Sequence, residues 1–269
     1  AHPDVFNLLL QILEDGVFSY CSSLSGTLSL PESLEKIGSW CFNGCSMLTG
    51  DLILPSNLTV IDDYCFNSCS FTGNLVIPEG VKSIGNSVFM QNKFTGSLTL
   101  SSSLKEIGEG AFGGCDSLTS VYITDIAAWC NISFGSEGST PLYYAGYYAE
   151  HYHLAGNLYL NNELVTDLII PDSVTSIGYA LYGCTSLTSI TIPDSVTTIG
   201  DYAFDGCTSL ESITIGNSVT SIGSSAFYGC TGELIVNCNI PSVSDYRDSF
   251  FYGSNFTKVT IGDSVTSIG

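Results

Sequence analysis

The most constraining feature of this chain is that it repeats itself every 22 to 24 residues, at isoleucines 37, 61, 84 and 107 and again at 177, 199 and 222, with about three repeat lengths separating 107 from 177 and two separating 222 from 268. Residues 187–210 read LTSITIPDSVTTIGDYAFDGCTSL and residues 210–230 read LESITIGNSVTSIGSSAFYGC, matching at nearly every apolar position. A period of about 23 residues is too short for an independent core and falls in the range where each unit supplies one strand and one return, stacked on its neighbours.

The chemistry within a unit divides accordingly. The pairs Leu52/Leu54, Leu75/Ile77, Leu98/Leu100, Ile190/Ile192 and Ile213/Ile215 alternate with one intervening residue, the spacing of a strand with one face inward. Pro31, Pro55, Pro78, Pro171 and Pro193 follow and end the strand, because proline offers no ladder donor. Next come Val or Leu and Ile three apart, glycine, and a small residue followed by an aromatic, as in Cys41-Phe42, Cys65-Phe66, Val88-Phe89, Ala111-Phe112, Ala203-Phe204 and Ala226-Phe227. Stacking predicts a buried phenylalanine column, each ring contributing about 1.5–3 kcal/mol.

Cysteines 21, 45, 69, 115, 184, 207 and 230 each lie three residues after the aromatic position, and Asn92 takes that place once. Neighbouring rungs about 4.8 Å apart are within disulfide reach. The ample core and the periodicity favour free buried thiols acting as small apolar side chains. The Cys41/Cys45 and Cys65/Cys69 spacings resemble zinc ligand pairs but follow from the repeat alone. No metal and no cofactor are expected.

The pattern IPDSVTSIGxxAFxGCxSLTSI, carried by residues 170–190 and 192–213 with small changes, resembles the BspA-like leucine-rich repeat of bacterial and some protist surface proteins. The resemblance spans nearly all of residues 24–269. It implies a right-handed α/β-type leucine-rich-repeat solenoid with a parallel β-sheet and short helical or irregular returns. It also implies export to the cell surface, a place within a longer protein, and adhesion to extracellular host or matrix protein or glycan. Departures are Gly216 and Gly262 in place of proline, Leu181 in place of phenylalanine, and a loss of register over 124–157.

At the start, apolar positions 5, 6, 8, 9, 12 and 13 predict a helix over 3–15, within a capping segment and partial first repeat at 1–23. The sequence closes at Ile268-Gly269 within a repeat, which reads as an array that continues. Within the interruption, Ile126, Trp129 and Cys130 fit one helical turn capped by Thr124 or Asp125, followed by a loop rich in tyrosine. Residues 158–166 read as a hairpin with an Asn-Asn turn. The interruption occupies about two repeats, predicting one domain.

Net charge narrows the partners. Six Lys+Arg against 26 Asp+Glu leave −20 over 269 residues, so phosphate neutralisation, and with it nucleic-acid binding, is not expected. No apolar run reaches the ~20 residues of a spanning helix, and no basic start precedes an apolar stretch. His2, His151 and His153 are the only histidines, and no nucleophile elbow, HExxH helix or phosphate loop occurs, so no catalytic residue is assigned and no enzyme activity is expected. Asp172, Asp194 and Asp263 share a position where stacked carboxylates would suit Ca²⁺, although capping of the following turn explains them locally. Sequons at Asn57, Asn131 and Asn255 matter only in a eukaryotic secretory pathway.

The residues between the inward pairs, Ser29, Ile53, Val76, Thr99, Tyr122, Tyr159, Ile169, Thr191, Thr214, Ile235 and Thr260, carry no charge. Such identities suit strands in general. Five further tyrosines cluster in the interruption, where strand propensity does not account for them. The candidate ligand-binding set is therefore Tyr122, Tyr143, Tyr144, Tyr147, Tyr148, Tyr152 and Tyr159. The function expected is a non-enzymatic binding module, with a passive spacer as the alternative and a secreted hydrolase as a remote one.

Overall fold

A computed structural model describes residues 10–145, 152–154, 156–240 and 249–268. The chain divides into two compact units, Ala1–Thr124 with Ile132–Ala155, and Asp125–Asn131 with Gly156–Gly269, each a stack of coils with parallel strands and little helix.

In the first unit, coils contribute more than the one strand segment the sequence predicted, as many as three where Val60–Ile61, Ser70–Thr72 and Leu75–Val76 follow one another. The expected strand is present, with Leu75–Val76, Ser97–Thr99 and Ser120–Ile123 pairing parallel and in register. A second parallel sheet runs through the marker isoleucines, in the order Ile12–Leu13, Lys36–Ile37, Val60–Ile61, Ser83–Ile84, Glu106–Ile107 and Ser133–Phe134. These segments are two residues long, too short for an alternating pattern to reveal them. Residues 10–15, the described part of the predicted helix over 3–15, are not helical: Ile12–Leu13 is the edge strand of this sheet. Leu13 pairs with Ile37, so the helical spacing of apolar residues there is overridden by the repeat register.

The returns are turns stitched by backbone hydrogen bonds from coil to coil. The N–H groups of Phe18, Phe42, Phe66 and Phe89 donate to the carbonyls of Cys41, Cys65, Val88 and Ala111 at 2.8–3.0 Å. The rings follow, with centroids of Phe18, Phe42, Phe66, Phe89 and Phe112 stacked at 5.2, 5.5, 5.9 and 5.5 Å. The predicted column is thus observed, and Phe71 and Phe94 pack edge-on against it.

The second unit repeats the scheme. Asp167–Ile169, Ser189–Ile192, Ser212–Ile215, Thr231–Val236 and Asn255–Ile261 form one parallel sheet, and Ser176–Ile177, Thr198–Ile199 and Ser221–Ile222 form the other. Phe204, Phe227 and Phe251 stack at 5.3 and 5.4 Å. The helix Ile126–Cys130 belongs to this unit, and Asp125 is its cap, accepting from the Ala128 N–H at 3.0 Å. The hairpin over 158–166 is present, its two asparagines both left-handed (φ 51° and 69°) as a type I′ turn demands.

All eleven cysteines are free, and ten are buried. The exception to the expected buried set is Cys21, which is exposed in the first coil. The buried thiols also hydrogen-bond: Sγ of Cys45, Cys69, Cys115, Cys207 and Cys230 donates to the carbonyl of Phe18, Phe42, Phe89, Leu181 and Phe204, one aromatic position back, at 3.1–3.2 Å. Asn92 keeps the donor, giving Nδ2–H to Phe66 O at 2.8 Å. The position therefore selects a small donor rather than a sulfur. Burial pushes these thiols up, Cys115 to about 12, so they stay protonated near neutrality.

The turn after each proline is closed by the proline carbonyl itself, which accepts from Leu34, Leu58, Val81, Val174 and Val196. Asp194 does not cap that turn locally. Its Oδ1 accepts from the N–H of Asn217 in the next coil at 2.7 Å.

Candidate binding surface

The outward strand residues form continuous rows because the sheets are in register. In the first unit Val76 lies beside Thr99 and Thr99 beside Tyr122. In the second, Ile169, Thr191, Thr214, Ile235 and Thr260 are successive neighbours. Inward neighbours such as Leu98, Val121, Ile190 and Ile213 are buried, which fixes the alternate residues outward. Ile169 is 73% exposed on this row, and Ile53, just past the strand Met47–Asp51, is 70% exposed. Each row is uncharged and rich in β-branched side chains, a surface of low conformational entropy.

Tyr122 is half-buried in Ser120–Ile123 of the first unit, and Tyr159 is half-buried in Leu158–Leu160 of the second, opposite Leu164 of its hairpin. The predicted tyrosine loop contains secondary structure instead: Tyr143–Ala145 pairs antiparallel with Tyr152–Leu154. Tyr143 lies opposite Leu154, Tyr144 opposite His153, and Ala145 opposite Tyr152. Tyr147 and Tyr148 lie outside the described residues. Of the described candidates, Tyr122, Tyr143, Tyr144 and Tyr152 fall on strands of the first unit and Tyr159 on a strand of the second.

Sequence reasoning missed a second set of aromatics, on the returns, exposed at Trp40, Tyr228 and Tyr252 and half-buried at Tyr64. Trp40 and Tyr64 stack at 4.1 Å and 14°, and both adopt left-handed backbone at φ 62° and 58°. In the second unit Tyr228 and Tyr252, each nearly half exposed, lie 6.3 Å apart. The signal was available, since Trp40, Tyr64 and Tyr202 all stand two residues after the repeat glycine position or its replacement, but it was masked by the stronger small-aromatic pair that follows.

Among the described residues no cluster of three or more His, Cys, Asp or Glu side chains is disposed to hold a metal ion, and no helix is long and apolar enough to cross a membrane.

Stacked coils, a buried aromatic column and an open strand face define a leucine-rich-repeat protein. The model of the BspA type leucine rich repeat region matches six copies over residues 11–137 and 154–269, and the chain belongs to that family. A leucine-rich repeat protein from Eubacterium ventriosum is similar in structure, at 22% identity and a TM-score of 0.50, with 94% of this chain covered. This chain spans 64% of the length of that protein. A leucine rich cell surface protein from Faecalibacterium prausnitzii (18% identity, TM-score 0.38) covers 94% of this chain and is itself covered over 83%. The pneumococcal vaccine antigen PcpA (19%, TM-score 0.44) covers 96% and is covered over 71%. No curated protein matches the chain. The family is one of repeat scaffolds, and no catalytic family is indicated.

Proposed function

We propose that the chain is an exported, surface-displayed binding module that recognises an extracellular protein or glycan without covalent chemistry. The observation that carries this is the in-register, uncharged strand row of Ile169, Thr191 and Thr214, the first two exposed and the third half-buried. A row fixed by backbone pairing loses little entropy on association, and the absence of charge lowers the desolvation cost. Tyr122, Tyr143, Tyr144, Tyr147, Tyr148, Tyr152 and Tyr159 are the proposed aromatic contacts, since tyrosine supplies a large ring and a hydrogen-bonding hydroxyl.

The test is an array of matrix proteins and glycans probed with the chain. For a ligand so found, Thr191→Lys and the pair Tyr147→Ala with Tyr148→Ala are expected to weaken binding while thermal unfolding is preserved. Unchanged affinity in both overturns the surface assignment. A blank array supports the passive spacer instead.

A further inference from the structure

We infer that the second unit carries a separate binding site, built on Asp205 and the ring of Tyr228, for a primary alkylammonium group of the kind a lysine side chain presents. It lies on the returns rather than the strand rows, and it goes beyond the reading above.

Backbone register brings the two residues together. The N–H of Gly183 donates to the carbonyl of Asp205 at 2.8 Å, and the N–H of Gly206 to the carbonyl of Tyr228 at 3.1 Å, so Tyr182, Asp205 and Tyr228 are successive rungs of one ladder. Neighbouring rungs stand about 5 Å apart. Tyr182 is buried and closes one side of Asp205, while Tyr228, on the other side, is 45% exposed. The Tyr228 ring leans toward the following coil, where a Cβ on Gly253 would run into its edge carbons and where the Tyr252 ring centroid lies 6.3 Å away. The rung behind the ring, on the side away from Gly253, is Asp205.

Charge selects the occupant. Other coils place Asn43, Asn67, Met90 and Gly113 at this rung, so the repeat itself needs no acid there. The Asp205 carboxylate is half-buried, and among the described residues it accepts no hydrogen bond and forms no ion pair. Burial pushes it up to about 6. A desolvated anion without a partner destabilises the fold, and a cation supplied from outside offsets that cost. One carboxylate is too few oxygens for a calcium ion, and among the described residues no cluster is disposed to hold a metal. An alkyl stem laid along the exposed Tyr228 ring carries a compact ammonium head down to the deeper carboxylate, and the ring face adds its own attraction for the cation. The overall charge of −20 favours its approach.

The experiment is proton NMR of the peptide acetyl-Gly-Lys-Gly amide titrated with the intact chain at neutral pH, beside its acetyllysine and arginine counterparts and n-butylammonium chloride. Acetylation keeps the stem and removes the charge. Asp205→Asn and Tyr228→Asn both follow the asparagines that Asn43 and Asn67 place at this rung, so both retain the repeat geometry; thermal melts no lower than the parent's confirm this. A saturable upfield ring-current shift of the lysine ε-methylene signal is expected, with affinity weakened about fivefold or more by Asp205→Asn, about two- to fivefold by Tyr228→Asn, and by raised salt. Butylammonium binding as tightly as the peptide assigns the site to free amines and weaker binding assigns it to a polypeptide lysine; both uphold it. An equal shift of the acetyllysine peptide, indifference to Asp205→Asn, absence of a saturable shift, or tighter binding of the arginine peptide overturns the proposal. None of these results bears on the strand-face reading, because neither variant lies on a strand row.

Discussion

The indole N–H of Trp129 donates to the carbonyl oxygen of Ala180 at 2.8 Å. In the other coils the carbonyl of the residue before the aromatic position accepts from the backbone N–H of the preceding coil, as Ala226 does from Phe204. Trp129, buried in the helix Ile126–Cys130, supplies from a side chain the rung the backbone otherwise provides. Trp129→Phe removes the donor and part of the packed volume, leaving a buried carbonyl short of a partner. A loss of about 2–3 kcal/mol is expected in urea unfolding followed by far-UV circular dichroism. A loss under about 0.5 kcal/mol would show that solvent satisfies Ala180.

Asn92 tests what the cysteine position selects. Besides donating to Phe66 O, its Nδ2 donates to Phe89 O at 3.0 Å and its Oδ1 accepts from Phe71 N at 3.2 Å. Asn92→Ala leaves Phe66 O and Phe71 N without this partner, while Phe89 O keeps the Cys115 thiol, and is expected to cost about 2–3 kcal/mol. Asn92→Cys restores the bond to Phe66 alone and is expected to lie about 1 kcal/mol above the alanine variant. If the two variants unfold at the same urea concentration, sulfur packing rather than donation accounts for the column.

Thiol chemistry follows from burial. A thiolate is the reactive form, and desolvation holds Cys69, Cys115 and Cys130 up to about 12. Titration of the native protein with a disulfide reagent is expected to modify the exposed Cys21 rapidly and the remaining ten only after unfolding in urea. Rapid modification of several thiols in the native state would contradict the buried column.

Asp205 gives a pH signature. Burial raises its carboxyl from the ordinary value to about 6. The folded chain therefore binds this proton more tightly than the unfolded one. Its contribution to stability is greatest below pH 4, declines as pH rises from 4 to 6, and is flat above. With discount for the solvent that still reaches the group, the span is about 1–2 kcal/mol. Asp205→Asn is expected to be more stable than the parent by that amount at pH 7 and level with it near pH 4, in paired urea titrations. A difference independent of pH would assign the effect to packing.

Much of the fold was legible because stacking repeats each residue's environment. The inward pairs, the phenylalanines and the aligned cysteines each recur at one depth in one coil, so a single pattern seen several times fixed their burial. The second sheet was not legible, since two-residue segments such as Ser83–Ile84 hold together only by pairing with neighbouring coils. The edge strand Ile12–Leu13 was misread for the same reason: its local apolar spacing suits a helix, and only pairing with Lys36–Ile37 decides otherwise. In the surface, the uncharged row could be extracted from alternation, while the signal of the stacked Trp40 and Tyr64 was masked by the small-aromatic pair that follows.

The sequence by itself determined that this chain stacks coils of about 23 residues around a phenylalanine column and presents an uncharged row on its strands, because those properties depend on spacing and hydrophobicity that every repeat restates. Tertiary structure alone decided the partners across coils: that cysteine and Asn92 serve as donors to a carbonyl one coil back, that Trp129 completes a ladder from a side chain, and that Trp40 stacks on Tyr64. These depend on which atoms are brought within hydrogen-bonding or van der Waals reach between residues 20 to 50 positions apart, a distance over which no local preference acts.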